Sequence, residues 1–219
     1  MTLPTNIALV ETLDGLVAIN GESNASTQAK VIARLEQHSI GFLERCPFLI
    51  IATQCGGEAD ASPRGDSPGF VKVLDDTTLL IPERPGNRLA DSLTNIVNSP
   101  GVGLICLIPG MAETLRINGN AYITTEPSYL QQLCHQGVPP KLAILVDIKQ
   151  VYFHCAKAFI RAKLWDASTQ MPRTEMPTLG KIILEQIRGE QVSAKESAAV
   201  DERLDDDIKN NLYHTKSPR

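Results

Sequence analysis

Short apolar runs that come in pairs, each pair joined by a tight turn, are what most limits the folds open to this chain. Residues 48–53, Phe-Leu-Ile-Ile-Ala-Thr, run into Gly56-Gly57 and are followed by 59–62. Residues 70–74 and 78–81 flank Asp75-Asp76-Thr77, where carboxylates can bond the turn backbone, and 102–108 and 114–124 flank Pro109-Gly110. Connections this short join antiparallel strands, because a parallel pair needs a crossover of about a dozen residues or more. Asn118-Gly119, inside the last of these runs, predicts a bulge. Residues 142–153 contain Leu-Ala-Ile-Leu-Val-Asp-Ile, too continuously apolar for a half-exposed strand, so a central strand of a closed sheet is expected there.

Helical spacing occurs around these strands. Val31, Ile32, Leu35, Phe42 and Leu43 predict one helix over 27–43, ended by Cys46-Pro47. Leu89, Leu93, Ile96 and Val97 predict another over 88–97, with Asn87 as N-cap and Asn98-Ser99-Pro100 as its stop. Further helices are expected at 127–134, at 155–165 and over 179–212, the last rich in charge. Strands in hairpin order with helices at the start, middle and end make the fold mainly β with peripheral helices, an antiparallel barrel with helices at its rim. The organisation expected is an N-terminal arm over 1–26, a barrel domain over 27–165 and a charged helical tail over 166–219 that is peripheral or reaches another subunit.

With 219 residues and 42% hydrophobic content, such a chain can bury a substantial core. A net charge of −4 and only 5% aromatic residues argue against a nucleic-acid surface, which needs a basic face and stacking platforms. No run approaches the ~18 apolar residues of a membrane span, and residues 1–20 lack the basic start of a secretory signal. Cys46, Cys55, Cys106, Cys134 and Cys155 are odd in number and without C-x-x-C spacing, which suits free thiols in the cytoplasm. Asn24-Ala25-Ser26 is then a chance glycosylation match.

Several chemistries find no support. Gly101-Val102-Gly103 lacks the third glycine of a dinucleotide fingerprint, and neither a phosphate loop nor a G-x-S-x-G elbow is present. The neighbours in Cys134-His135 and in His154-Cys155 point apart on either a helix or a strand, so neither pair makes a nucleophile with its base. His38, His135, His154 and His214 show no ligand spacing, and no metal is expected.

One stretch does point to a ligand. Residues 62–71, Ser-Pro-Arg-Gly-Asp-Ser-Pro-Gly-Phe-Val, and 81–88, Ile-Pro-Glu-Arg-Pro-Gly-Asn-Arg, set Arg64, Arg84 and Arg88 among backbone-exposing glycines in an acidic chain. Guanidinium forks match phosphate oxygens, and the predicted helix start at 88 adds unpaired N–H groups and partial positive charge. A solvated loop in which Arg64 pairs locally with Asp66 would use the same residues.

These two stretches, together with Ile108-Pro109-Gly110, Glu113-Thr114-Leu115-Arg116-Ile117-Asn118-Gly119, Tyr152-Phe153-His154-Cys155-Ala156-Lys157-Ala158, Arg161 and Leu164-Trp165, closely resemble the pyridoxamine 5′-phosphate oxidase-like FMN-binding superfamily. The resemblance implies a split antiparallel β-barrel that forms a homodimer with FMN at the subunit interface. It puts the FMN phosphate near Asn87 and Arg88, with Arg64 and Arg84 as further ligands, and lays the isoalloxazine along Gly69, Phe70, Val71 and Lys72 beside Ile81, Pro82 and Thr114. His154, Lys157 and Arg161 would come from the partner chain, and Lys72, Arg116 or Lys157 would supply a cation to the flavin's pyrimidine edge. The Arg-Leu-x-Pro ending of the pyridoxamine phosphate oxidases proper is missing from residues 213–219, so pyridoxamine phosphate is not the expected substrate.

The expectation is an FMN-dependent oxidoreductase acting on a small-molecule substrate or electron donor, with no catalytic side chain assigned because the cofactor carries the chemistry. A non-catalytic flavin carrier or sensor, or a barrel of this fold that binds haem or a deazaflavin, are the alternatives.

Overall fold

A computed structural model describes residues 7–86 and 89–213. The first hairpin is β1 (Phe48–Cys55) and β2 (Glu58–Gly65), joined by Gly56 and Gly57 at φ 60° and 87°. Two consecutive positive φ values give the turn whose twist suits a two-residue hairpin, and glycine adopts them without a Cβ penalty. In β1, Leu49, Ile51 and Thr53 face the core while Phe48 and Ala52 face outward. The second hairpin is β3 (Lys72–Asp75) and β4 (Thr78–Pro82), its turn held by Asp75, whose Oδ1 accepts from the Thr77 amide at 2.8 Å. β5 (Gly101–Leu107) and β6 (Thr114–Thr124) make the third, and β7 (Ala143–His154) pairs with both β6 and β4.

All pairings are antiparallel, in the order β2-β1-β5-β6-β7-β4-β3. β2 and β3 are the two ends of that order, so the sheet curls round the core without closing into a ring of hydrogen bonds: a split barrel. This is the split barrel that the resemblance implies, and it corrects only the expectation of a closed sheet around residues 142–153. The apolar run there is buried for another reason. Ile144, Val146 and Ile148 face the main core, while Ala143 packs with Leu80 and Leu133 in a smaller cluster on the other face, under α5 (Pro127–Gln132).

The irregularity expected at Asn118-Gly119 is present, and the extra residue lies on the facing strand. Asn118 opposes Gln150 and Gly119 opposes Ile148, so Lys149 is unopposed, and the core-facing positions of β7 change from even to odd numbers at Val151 and Phe153. Gly119 is required because a Cβ there would collide with the Asp147 carbonyl oxygen.

Two helix expectations are corrected. Residues 27–43 are not one helix but α2 (Ala25–Ala29) and α3 (Gln37–Leu43), because Ile32 and Val151 exchange backbone hydrogen bonds at 3.0 and 2.7 Å. A capping box between Glu36 and Ser39 then starts α3 afresh. The helix expected over 88–97 is α4 (Asp91–Asn98), with Ala90 at the N-cap position in left-handed conformation and no side-chain cap. Asn87 is therefore not its N-cap, and Asp91 occupies the first turn, where an anionic ligand would have to compete with it.

α1 (Leu13–Asn20) precedes α2, and neither buries a residue. After β7 come α6 (Lys157–Ala162), α7 (Leu179–Arg188) and α8 (Ala194–Asn211). Among the described residues no helix is long and apolar enough to cross a membrane.

Candidate functional site

The ends of β2 and β4 meet across the split of the barrel, and ion pairs link them there. Arg64, near the end of β2, places Nε 3.1 Å from Oε2 of Glu83, just past β4. Arg84 places Nε 2.7 Å from Oδ2 of Asp66, just past β2. The pairing is crossed, which corrects the local Arg64–Asp66 pair expected from proximity in sequence. The two carboxylates respond oppositely to their surroundings. Burial pushes Glu83 above its ordinary value, and the Arg64 charge and hydrogen bond oppose this without cancelling it. Burial works the same way on Asp66, but the Ser67 amide and Arg84 outweigh it and hold the carboxyl below the usual range.

This junction forms one wall of a cavity of about 1340 Å³. Among the described residues Arg64, Arg84 and Lys141 are its cationic lining, while Phe70, Pro82 and Leu142 contribute apolar surface. The start of α4 closes another side through Ala90 and Asp91. Behind it, Ser92 is buried and donates to Asp60 at 2.9 Å, which fixes α4 against β2. Leu212 and Tyr213, at the end of the tail, complete the wall. The Tyr213 hydroxyl donates to Oδ1 of Asp66 at 3.1 Å, and its ring stacks on His135 with centroids 3.5 Å apart.

Of the residues singled out in the sequence, Arg64, Phe70, Pro82 and Arg84 line this cavity. Asn87 and Arg88 lie outside the described residues; Gly86 and Leu89, on either side of them, line it too. Gly69 is needed for packing: its φ is +78°, and a Cβ would come within 3.0 Å of the Glu44 carbonyl oxygen. Val71 and Ile81 belong to the core, and Lys72 donates to the Gly69 carbonyl at 3.0 Å.

The remaining five gather elsewhere. Thr114 opposes His154 where β6 begins and β7 ends, Arg116 opposes Tyr152, and α6 carries Lys157 and Arg161 just beyond. Leu142, at the cavity, precedes the other end of the twelve-residue β7, roughly 35 Å away along an extended strand. None of these five lines the cavity. Within the second group the Arg116 guanidinium lies 5.1 Å from the Tyr152 ring centre, and its Nε is buried without a hydrogen-bond partner.

Sequence reasoning weighed Asp66 only as a partner of Arg64, and passed over Glu83, Lys141, His135 and Tyr213. Asp66 and Glu83 carried a signal, since each sits within two residues of an arginine of the opposite charge. Tyr213 carried none, because only folding returns the tail to the barrel. Among the described residues no group of three or more His, Cys, Asp or Glu side chains is placed to hold a metal ion.

A seven-stranded antiparallel split barrel with a cavity at the junction of its two edges is the class of protein these features define. The family model for pyridoxamine 5′-phosphate oxidase matches residues 35–155, which run from just before α3 to the end of β7 and make up more than half of the chain. The chain belongs to that family. No curated protein matches it. Among solved structures it is similar to HupZ of Group A Streptococcus, at 15% identity and TM-score 0.45 over 54% of this chain and 93% of that one. It is also similar to an FMN-binding protein from Syntrophomonas wolfei, at 11% identity and TM-score 0.39 over 52% of this chain and 87% of that one. A NimC/NimA family protein from Clostridium acetobutylicum matches at 16% identity and TM-score 0.37, over 54% and 92% of the two chains. At these identities no chemistry passes from those proteins to this one, and family membership rests on the family model.

Proposed function

We propose that this chain is an FMN-binding flavoprotein, an oxidoreductase acting on a small-molecule substrate or electron donor, and that it works as a homodimer with FMN at the subunit interface. The observation that carries the reading is the composition of the cavity, in which two guanidinium groups and Lys141 stand beside Phe70, Pro82 and Leu142. That donor set fits the cofactor: a phosphate needs charge-assisted donors and a flat ring needs an apolar wall. Each guanidinium has five N–H donors, so pairing through Nε leaves others on Arg64 and Arg84 for phosphate oxygens. When bound, FMN supplies the capacity to accept and pass on a hydride or electrons. Phe70, Pro82 and Leu142 would hold its ring away from water.

The dimer reading draws on the distant second group. Arg116, with its unpartnered Nε, and His154, Lys157 and Arg161 would reach the cofactor from the partner subunit. A row of outward positions crosses the sheet from Ile50 to Ile105, Arg116 and Tyr152, and Ile105 and nearby Phe48 are 37% and 38% exposed. Apolar surface of this kind on a sheet face favours association. Five free thiols suit the cytoplasm.

Purification tests this directly. A yellow dimer whose released chromophore has the mass of FMN is expected, with reduction by NADH or NADPH followed by turnover of an acceptor. A haem spectrum, a deazaflavin mass, or a monomer that retains FMN tightly would overturn the reading. A flavin that no donor reduces would replace the oxidoreductase with a carrier.

A further inference from the structure

Tyr213 carries the tail back to the barrel, and three separate segments receive it. Tyr213 follows α8 by two positions. Its ring lies flat on His135, with an interplanar angle of 4°. The guanidinium carbon of Arg84 is 5.6 Å from the centre of the same ring, and the hydroxyl donates to Oδ1 of Asp66, whose Oδ2 takes Arg84. The turn at 135–138, the segment after β2 and the segment after β4 thus all contact this residue. Fixing the segment that follows a helix costs conformational entropy, which contacts from three directions offset.

The tail that carries Tyr213 is itself a folded unit. α7 and α8 form a helical hairpin in which the Gly180 amide donates to Oδ1 of Asp201 at 2.8 Å and Arg188 pairs with Glu196. The helices approach so closely that a Cβ on Gly180 would meet the Asp201 carboxylate. The cavity retains about 1340 Å³ with Tyr213 in its wall, more than most small-molecule pockets, so Leu212 and Tyr213 border the space without filling it.

We propose that the α7–α8 hairpin is a strap fastened at the wall of the cavity, latched by Tyr213 to Asp66, Arg84 and His135, and that opening of this latch sets how fast a bound ligand leaves. The identity of the ligand rests on the cofactor reading above; the latch does not. Because Arg84 both touches Tyr213 and faces the cavity, an anion bound there and the latch share one group.

The test uses the full chain with Tyr213→Ala and Tyr213→Phe. Release of FMN is followed by the return of flavin fluorescence on dilution, and opening of the strap by the rate of tryptic cleavage at Lys195, Arg203 and Lys209 in α8. The alanine variant should raise both rates roughly tenfold, the loss of a ring contact and a hydrogen bond, and the phenylalanine variant should fall between. Unchanged cleavage in the alanine variant overturns the latch. Faster cleavage with unchanged FMN release overturns its control of residence time. If the wild type takes up no FMN, the cofactor reading falls and cleavage alone decides the latch.

Discussion

With a side chain only 3% exposed, Asp66 is tolerated as an anion because Arg84, the Ser67 amide and Tyr213 all donate to it. Removing the cation while leaving the carboxylate buried is costlier than the net value of the pair, since the lost attraction no longer offsets desolvation. Arg84→Ala is therefore expected to destabilise the fold by about 3 kcal/mol in urea unfolding. Asp66 and Glu83 also have opposite pH signatures. The Asp66 value is lowered in the folded state, so its contribution is present above the ordinary value of 3.8 and is lost as pH falls through the lower folded value. Glu83 is raised from 4.5, so the folded chain holds its proton more tightly, and the stability this confers is lost as pH rises through the folded value. Unfolding measured against pH should show the wild type losing stability relative to Glu83→Gln as pH rises from 4.5 through the folded value of Glu83. At this scale the arginines were legible and their partners were not. Each guanidinium stands near an acid in sequence, but the curvature of the sheet decides which acid it meets.

Among the elements, the β6–β7 pair shows how a single backbone contact organises a strand. Lys149 is the unopposed residue, and Gly119 leaves room for the Asp147 carbonyl. Gly119→Ala has no open space to use and should cost about 2–3 kcal/mol, read as a lower melting temperature. The strands and their turns were legible because a period of two and a pair of turn residues act within a few positions. The helices were less so. Ile32 has helical spacing with its neighbours, yet its backbone hydrogen bonds go to Val151. The start of α4 shifted from the expected Asn87 cap to Ala90, so the anion site attributed to a helix end at 88 has no support from the described helix. In both cases a partner distant in sequence outweighed local propensity.

For the whole molecule, the second group of candidate residues stands outside the cavity that Arg64, Phe70, Pro82 and Arg84 line, and a second subunit is the proposed means of uniting them. Ile105→Glu puts a carboxylate on the outward face, between Ile50 and Arg116 in the row that crosses the sheet, without touching the core side of β5, where Leu104 and Cys106 are buried. Sedimentation should show the variant as a monomer with little change in the melting temperature and with weakened FMN retention. A variant that remains dimeric would move the interface elsewhere.

By itself the sequence determined the antiparallel pairing, the turns, the location of the bulge and the family, because hydrogen-bond periodicity, turn chemistry and in-order motifs are properties of neighbouring residues. Only the tertiary structure decided where the sheet parts, that Arg64 and Arg84 exchange acids across that split, and that Tyr213 returns to the cavity. Those outcomes depend on how far seven twisted strands curl around one core, which sets distances between residues that no short-range signal connects.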